Sequence, residues 1–312
     1  SQGETEEEGE DFEINPSLIL AIEEVELYQH PSRQRHLESI LSELSQDPPP
    51  GLSSMQILYS THSPLFIDVK RFGHVSLFRK ILKDSEKPKV TSVSTSSLEE
   101  IVREKEKIED VNKGTYDVEP ERARLKTLMT PWTNEGFFSD VVVLVEGIED
   151  RSAVIASASQ KDINFEERNI SVIPVNGKNN LLKAILMFQG FGIDTYALWD
   201  SDKNQGEDGK PEENRKLLKA FNHQEEDFPE LSTENFTCFQ NNLTRYIKTN
   251  LGENFYRENL NELREKYGFV SDNHAKKNVE VVSELISIAL EAGKDVELLN
   301  GAVEKIIRLS EG

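Results

Sequence analysis

The run Asp140-Val-Val-Val-Leu-Val-Glu146-Gly147-Ile-Glu149-Asp150 restricts this chain more than any other stretch. Five consecutive apolar residues leave no wet face. They predict a strand covered on both sides, as in the middle of a parallel sheet, with Glu146 delivered to its C-terminal edge. Some fifty residues on, Tyr196-Ala-Leu-Trp-Asp200-Ser-Asp202-Lys203 ends a second apolar strand in two acids. Residues at i and i+2 of a strand share a side, so Asp200 and Asp202 are expected to aim at one point. Asp150, four residues past Glu146, falls in the first turn of the next helix. In an open parallel sheet ligands sit outside the carboxyl ends of the strands, and there the four acids converge.

Crowded carboxylates repel one another, and a divalent cation relieves that repulsion. An oxygen-only set favours Mg²⁺ or Mn²⁺ over zinc. The plainer alternative makes Glu146, Asp150, Asp200 and Asp202 ordinary strand-end and helix-cap acids. Val-Glu146-Gly147-x-x-Asp150 followed by Asp200-x-Asp202 resembles the Toprim domain, the metal-binding fold of topoisomerases, primases and some nucleases. The resemblance implies that Glu146 serves as acid/base or metal ligand and that the Asp pair holds metal.

At 312 residues the chain has room for about two domains, and 36% hydrophobic content with 15 Phe and 7 Tyr supplies globular cores. No apolar run approaches about 20 residues, no basic-then-apolar leader opens the chain, and Cys238 stands alone, so the expectation is a cytosolic protein with no membrane partner. The net charge of −21, from 36 basic and 57 acidic residues, argues against broad contact with nucleic-acid phosphates. Charge is local, however: residues 1–13 hold seven acids and no base, an expected solvated lead. Basic surface for DNA would then come from a partner subunit or from sequence outside this chain.

In order along the chain, Ser17-Leu-Ile-Leu-Ala-Ile-Glu23-Glu24 is an apolar strand running into paired acids, the Walker B arrangement. There the first acid orients Mg²⁺ on a nucleotide and the second polarises water. Gln56-Ile-Leu-Tyr-Ser-Thr61-His62 is a second strand that ends in an exposed histidine and looks like the switch histidine of ABC-type ATPases. An amphipathic helix from Gln34 to Leu44 lies between them. No Gly-x-x-x-x-Gly-Lys-Ser/Thr occurs anywhere, so residues 1–95 are expected to be the C-terminal part of an ATPase lobe within a longer protein, ATP being the cofactor of the full module. The opening Ser1-Gln-Gly3-Glu4 resembles the tail of an ABC signature. Residues 74–79 and 89–94 predict a hairpin closing that lobe, and 96–138 a charged helical linker or dimerisation arm.

From 139 to 312 the pattern predicts a β-α-β-α-β Rossmann-like parallel sheet flanked by helices, giving an α/β Toprim domain. Its helices are expected at 150–160, 179–189, around 244–267 and at 278–292, with 204–211 a polar loop. The turn Asn176-Gly177-Lys178-Asn179 could offer backbone N–H groups and a lysine to phosphate. Lys276 and Lys277 are expected to open the helix at 278, where cations oppose the helix dipole and so point to a phosphate ligand.

An ABC-type ATPase tail followed directly by Toprim resembles the overcoming-lysogenisation-defect (OLD) family of nucleases. The resemblance implies DNA nicking or cleavage with two Mg²⁺ or Mn²⁺ ions, a homodimer, and a setting in phage defence or DNA repair. It also implies a lysine well downstream of the Asp pair, which Lys276 or Lys277 matches, and a further acid after that pair, for which Glu234 is the nearest substitute. A primase or topoisomerase, and a non-catalytic DNA clamp or partner platform controlled by ATP, are the alternatives.

Overall fold

The computed structural model describes residues 16–81 and 88–311, so the acidic lead and the signature-like opening lie outside the described residues. The chain forms two compact units, Ser1–Phe66 and Ile67–Gly312.

In the first unit β1 (Ser17–Ile22) and β2 (Ser54–Tyr59) pair in parallel, Ser17 opposite Ser54 and Ile22 opposite Tyr59. The helix α1 (Pro31–Gln46) joins them, and the proline at its first turn supplies a preset φ where no N–H partner is needed. Val25, Leu41 and Phe66 are buried against Ile22, Leu37, Ile57 and Tyr59.

The second unit begins with an antiparallel hairpin, β3 (Ser76–Ile81) and β4 (Val90–Thr95). The sequence assigns this hairpin to the ATPase lobe, yet it packs into the second unit: Val75 and Leu77 lie on the same apolar cluster as the central sheet. Arg79 ties it down, donating to the carbonyls of Gly192 (2.9 Å) and Ser139 (2.8 Å). Next come α2 (Leu98–Ile108), α3 (Val118–Leu128) and α4 (Pro131–Glu135). They form no free linker arm, because Ile101, Leu125, Leu128 and Phe137 are buried in that cluster. The segment's charge is absorbed internally: buried Glu121 accepts from Lys105 at 2.7 Å and pairs with Arg124.

The sheet then alternates with helices: β5 (Val141–Val145), α5 (Ile148–Ser159), β6 (Ile170–Pro174), α6 (Lys178–Gly190), β7 (Asp194–Asp200) and α7 (Pro211–Ala220). A short β8 (Leu231–Ser232) and β9 (Phe236–Phe239) complete it in the order β6-β5-β7-β9-β8, all parallel except β8. Five helices come after the sheet: α8 (Leu243–Leu251), α9 (Glu253–Lys266), α10 (Asp272–Ala275), α11 (Val279–Glu291) and α12 (Glu297–Ser310).

Both faces of the sheet are covered, as the apolar run of β5 requires. Val141, Val143 and Val145 face α5, α9, α11 and α12, while Val142 and Leu144 face α6 and α7 together with the helices 98–128. The pleat divides β7 likewise, Tyr196 and Leu198 to one core, Ala197 and Trp199 to the other. Two helices escape the sequence pattern. The polar loop at 204–211 is a 3₁₀ turn (Lys203–Gly209) running into α7, and α12 closes the first core with Leu299, Val303 and Ile306.

Candidate active site

The C-terminal edge of β5 and β7 gathers the acids. Glu146 comes directly after β5, and its Oε1 accepts the backbone N–H of Asp200 (2.9 Å), which links the ends of the two strands. Asp150 sits in the first turn of α5 and its Oδ2 accepts the Gly147 N–H (2.8 Å), satisfying a helix-start donor. Asp200 ends β7, and its Oδ1 accepts the Leu243 N–H (2.9 Å) at the start of α8. The strand ends and two helix starts therefore bring these three carboxylates to one edge of the sheet.

Electrostatics reports the same convergence. Burial pushes the Glu146 carboxyl up, against the pull of the Asp200 amide and the Lys178 charge. Asp150 is pushed up to about 7, by burial first and then by Glu146 and Glu149. Asp200 rises well above the ordinary carboxyl range through burial and the charges of Asp150 and Glu146, the Leu243 amide only partly offsetting them. These are the two causes that favour a protonated acid, a dry site and like charges nearby.

Asp202 departs from the expected strand geometry. β7 stops at Asp200, and Asp202 is left-handed (φ 57°), so its direction is set by the turn and not by strand alternation. Its Oδ2 accepts from Lys178 Nζ at 2.7 Å and its Oδ1 from Gln205 Nε2 at 2.8 Å. It still raises Glu146 and Asp200, which keeps it at the site. Lys178, at the first position of α6 behind the left-handed Gly177, is buried and also donates to the Gly209 carbonyl (3.3 Å). The Asn176-Gly177 turn marked this lysine in the sequence; its pairing with Asp202 left no sequence signal.

Lys276 and Lys277 do not open a helix. They lie in the turn between α10 and α11, where Asn278 is the cap. Lys276 pairs with Glu149 (3.0 Å), whose Oε1 also accepts the Thr244 hydroxyl, so this lysine borders the acids through Glu149. Lys277 is exposed, and its carbonyl accepts the Ser152 hydroxyl at 2.7 Å on the first turns of α5. Glu234 does not join the site. It precedes β9, at the opposite end of the sheet from the acids, and pairs with Arg308 at 3.6 Å.

In the first unit Glu23 and Glu24 lie in the turn after β1, and the Glu24 N–H donates to Ser60 Oγ (3.0 Å). The paired acids thus sit beside the loop that carries His62. Glu26, which the motif passes over, holds that loop: it accepts the Thr61 hydroxyl and the His62 N–H, both at 2.6 Å. Partial burial works against its charge, but these two donors outweigh it and keep its carboxyl below the ordinary range.

Among the described residues no group of three or more His, Cys, Asp or Glu side chains already stands in an arrangement that could hold an ion. The donor set at the sheet edge nevertheless suits a hard divalent cation, being all oxygen, drawn from converging elements and raised by mutual repulsion. Glu146, Asp150, Asp200 and Asp202 are the residues that would hold it. No helix among the described residues is long and apolar enough to cross a membrane.

Residues 137–202 match the profile "Overcoming lysogenization defect protein-like, TOPRIM domain", and residues 4–67 match an AAA ATPase domain. The OLD nuclease of Thermus scotoductus is 29% identical over 208 residues, 67% of this chain; the matched chain spans 35% of that relative's length. Similar solved structures include the C-terminal region of the Burkholderia pseudomallei OLD protein. It is 24% identical and has a TM-score of 0.37, covering 55% of this chain and 99% of that one. The corresponding region of the Xanthomonas campestris pv. campestris OLD protein is 20% identical with a TM-score of 0.36, covering 56% and 98%. The chain is thus similar to OLD proteins, with its match to an AAA ATPase domain lying ahead of its match to an OLD-like Toprim domain.

Proposed function

We propose that this chain carries the nuclease centre of a divalent-metal-dependent enzyme that hydrolyses DNA phosphodiesters. The observation that supports it most is the set of buried carboxylates at the C-terminal edge of β5 and β7, held apart from bulk water and from any full complement of protein cations. Such a cluster costs stability in the free protein, and that cost is understandable if the acids serve a cation.

Bound Mg²⁺ or Mn²⁺ would supply Lewis acidity toward a phosphoryl oxygen and lower the pKa of a bound water. The chain's own residues orient the site. The Asp200 amide points Glu146, the Gly147 amide points Asp150, and the Leu243 amide points Asp200, each leaving a second carboxylate oxygen for the cation. Lys276, steered by Glu149, is the cation best placed to meet a phosphate from the α11 side. Coupling to ATP, dimerisation and a role in phage defence or DNA repair belong to the same proposal for the longer protein. So does a partner's basic surface, which the net charge of −21 calls for.

Incubating supercoiled plasmid with the chain and Mn²⁺ or Mg²⁺ tests the reading. Nicking that EDTA and Asp200→Asn both abolish is the expected result. Equal nicking by parent and Asp200→Asn overturns it, and a protein that binds neither ion nor cuts DNA points to the non-catalytic clamp.

A further inference from the structure

Lys178 is the one lysine buried among the described residues, at 7% exposure. A buried ammonium is costly unless paired, and this one is paired with an acid of the site itself, Asp202 Oδ2 at 2.7 Å. Its main chain reaches the other half of the cluster, since the Lys178 amide and charge both draw Glu146 back toward ionisation. One residue thus favours the ionised form of Glu146 and holds Asp202 with its side chain.

The 203–209 loop is closed onto the same pair. Gly209 presses so near Asp202 that a Cβ there would stand 2.4 Å from the Asp202 carbonyl oxygen, and the Gly209 carbonyl is the second acceptor of Lys178 at 3.3 Å. The start of α6, the Asp202 turn and the end of this loop therefore meet on a single ammonium. That ammonium occupies an oxygen which the acid set would otherwise offer to a cation.

We propose that Lys178 is a resident counter-ion of the acid site, competing with the divalent cation for Asp202, so that binding of the ion draws Asp202 off Lys178 and loosens the 203–209 loop. The inference rests on the metal reading of the site and makes Lys178 a positioning residue for Asp202. Removing its charge has two effects of one sign. The site loses a repulsive cation, and Asp202 loses its internal partner, so Mn²⁺ should bind more tightly.

Isothermal titration of the full chain with Mn²⁺ reads this without any substrate. Lys178→Met, which keeps the aliphatic length, is expected to bind Mn²⁺ about tenfold more tightly than the parent. Lys178→Arg, which keeps the charge, should stay near the parent, and in an Asp202→Asn background Lys178→Met should gain nothing. In the unsubstituted chain, Mn²⁺ should raise amide hydrogen exchange across 203–209, a readout that stands if Lys178→Met fails to fold. A parent that binds Mn²⁺ while Lys178→Met binds no more tightly overturns the inference alone. So does a gain that survives Asp202→Asn, or exchange across 203–209 that Mn²⁺ leaves level or lowers. A parent that binds no Mn²⁺ overturns the metal reading, and this inference with it.

Discussion

Burial and mutual repulsion make Glu146, Asp150 and Asp200 hold protons more tightly than free carboxyls. The native state then binds extra protons between the unfolded and folded pKa. The contribution to stability is complete below the unfolded value and is lost as pH rises through the folded one. For Asp150 that window runs from 3.8 to about 7. In EDTA the melting temperature should accordingly fall from pH 5 to pH 7.5, and Asp200→Asn should flatten the slope by removing one of the repelling charges. Parallel pH profiles for parent and variant, measured by calorimetry, would contradict this account. Cys238 makes a separate case. It is fully buried on β9 and its thiol is pushed up to about 12, first by desolvation. It should resist maleimide at pH 8 in the native chain and react fully in denaturant, since the thiolate is the nucleophile. Rapid labelling of the folded protein would refute that.

Elements are joined here by single close contacts. The 203–209 turn depends on Gly209, because any side chain there drives its Cβ against backbone rather than against a flexible side chain. Gly209→Ala should cost about 1–3 kcal/mol by urea unfolding and raise hydrogen exchange locally over 202–210. An unchanged midpoint would show that the loop has room to move. Arg79 fastens the β3–β4 hairpin through carbonyls of two separate segments, Gly192 on one and Ser139 with Asp140 on the other. One guanidinium donates to both segments, so Arg79→Ala should lower stability by about 1.5–3 kcal/mol, the range for hydrogen bonds from charged donors. A loss below about 0.5 kcal/mol would reduce the pair to surface contacts.

The division of the chain into Ser1–Phe66 and Ile67–Gly312 has a practical consequence. Val69 and Phe72 are buried in the cluster behind β5, and Asn134 donates to the Ile67 carbonyl at 2.9 Å, so the second unit needs these residues to close. A fragment of residues 67–312 should unfold cooperatively, with its Mn²⁺-induced stabilisation intact. A fragment beginning at 96 should lose several kcal/mol, because it removes Val69, Phe72 and Leu77 together. Equal stability of the two fragments, by denaturant melts, would return the boundary to 95.

The Toprim sheet was readable in the sequence because its evidence is local. Five apolar residues in a row demand cover on both faces, and an acid at the end of such a run must leave the core at the strand's carboxyl edge. The same locality sets Glu146, Asp150 and Asp200 at the edge of the sheet, and in the first unit places Glu23 and Glu24 directly after β1 and His62 in the loop after β2. Asp202 lies at the same edge, but its direction does not follow strand alternation, which holds only within a strand, and β7 ends two residues earlier. Glu234 is the acid nearest Gln240-Asn-Asn in the sequence, but the parallel pairing of β9 with β7 carries it to the far end of the sheet. The hairpin and the charged helices at 98–128 looked detachable because their exposed charges outnumber the few apolar residues that anchor them. Lys178 and Asp202 are twenty-four residues apart, and nothing in composition or periodicity couples them. Their ion pair exists because the β6-α6-β7 crossover between parallel strands brings the start of α6 to the same sheet edge as the end of β7. Contacts of that kind are decided by the path of the chain in space, which local pattern does not record.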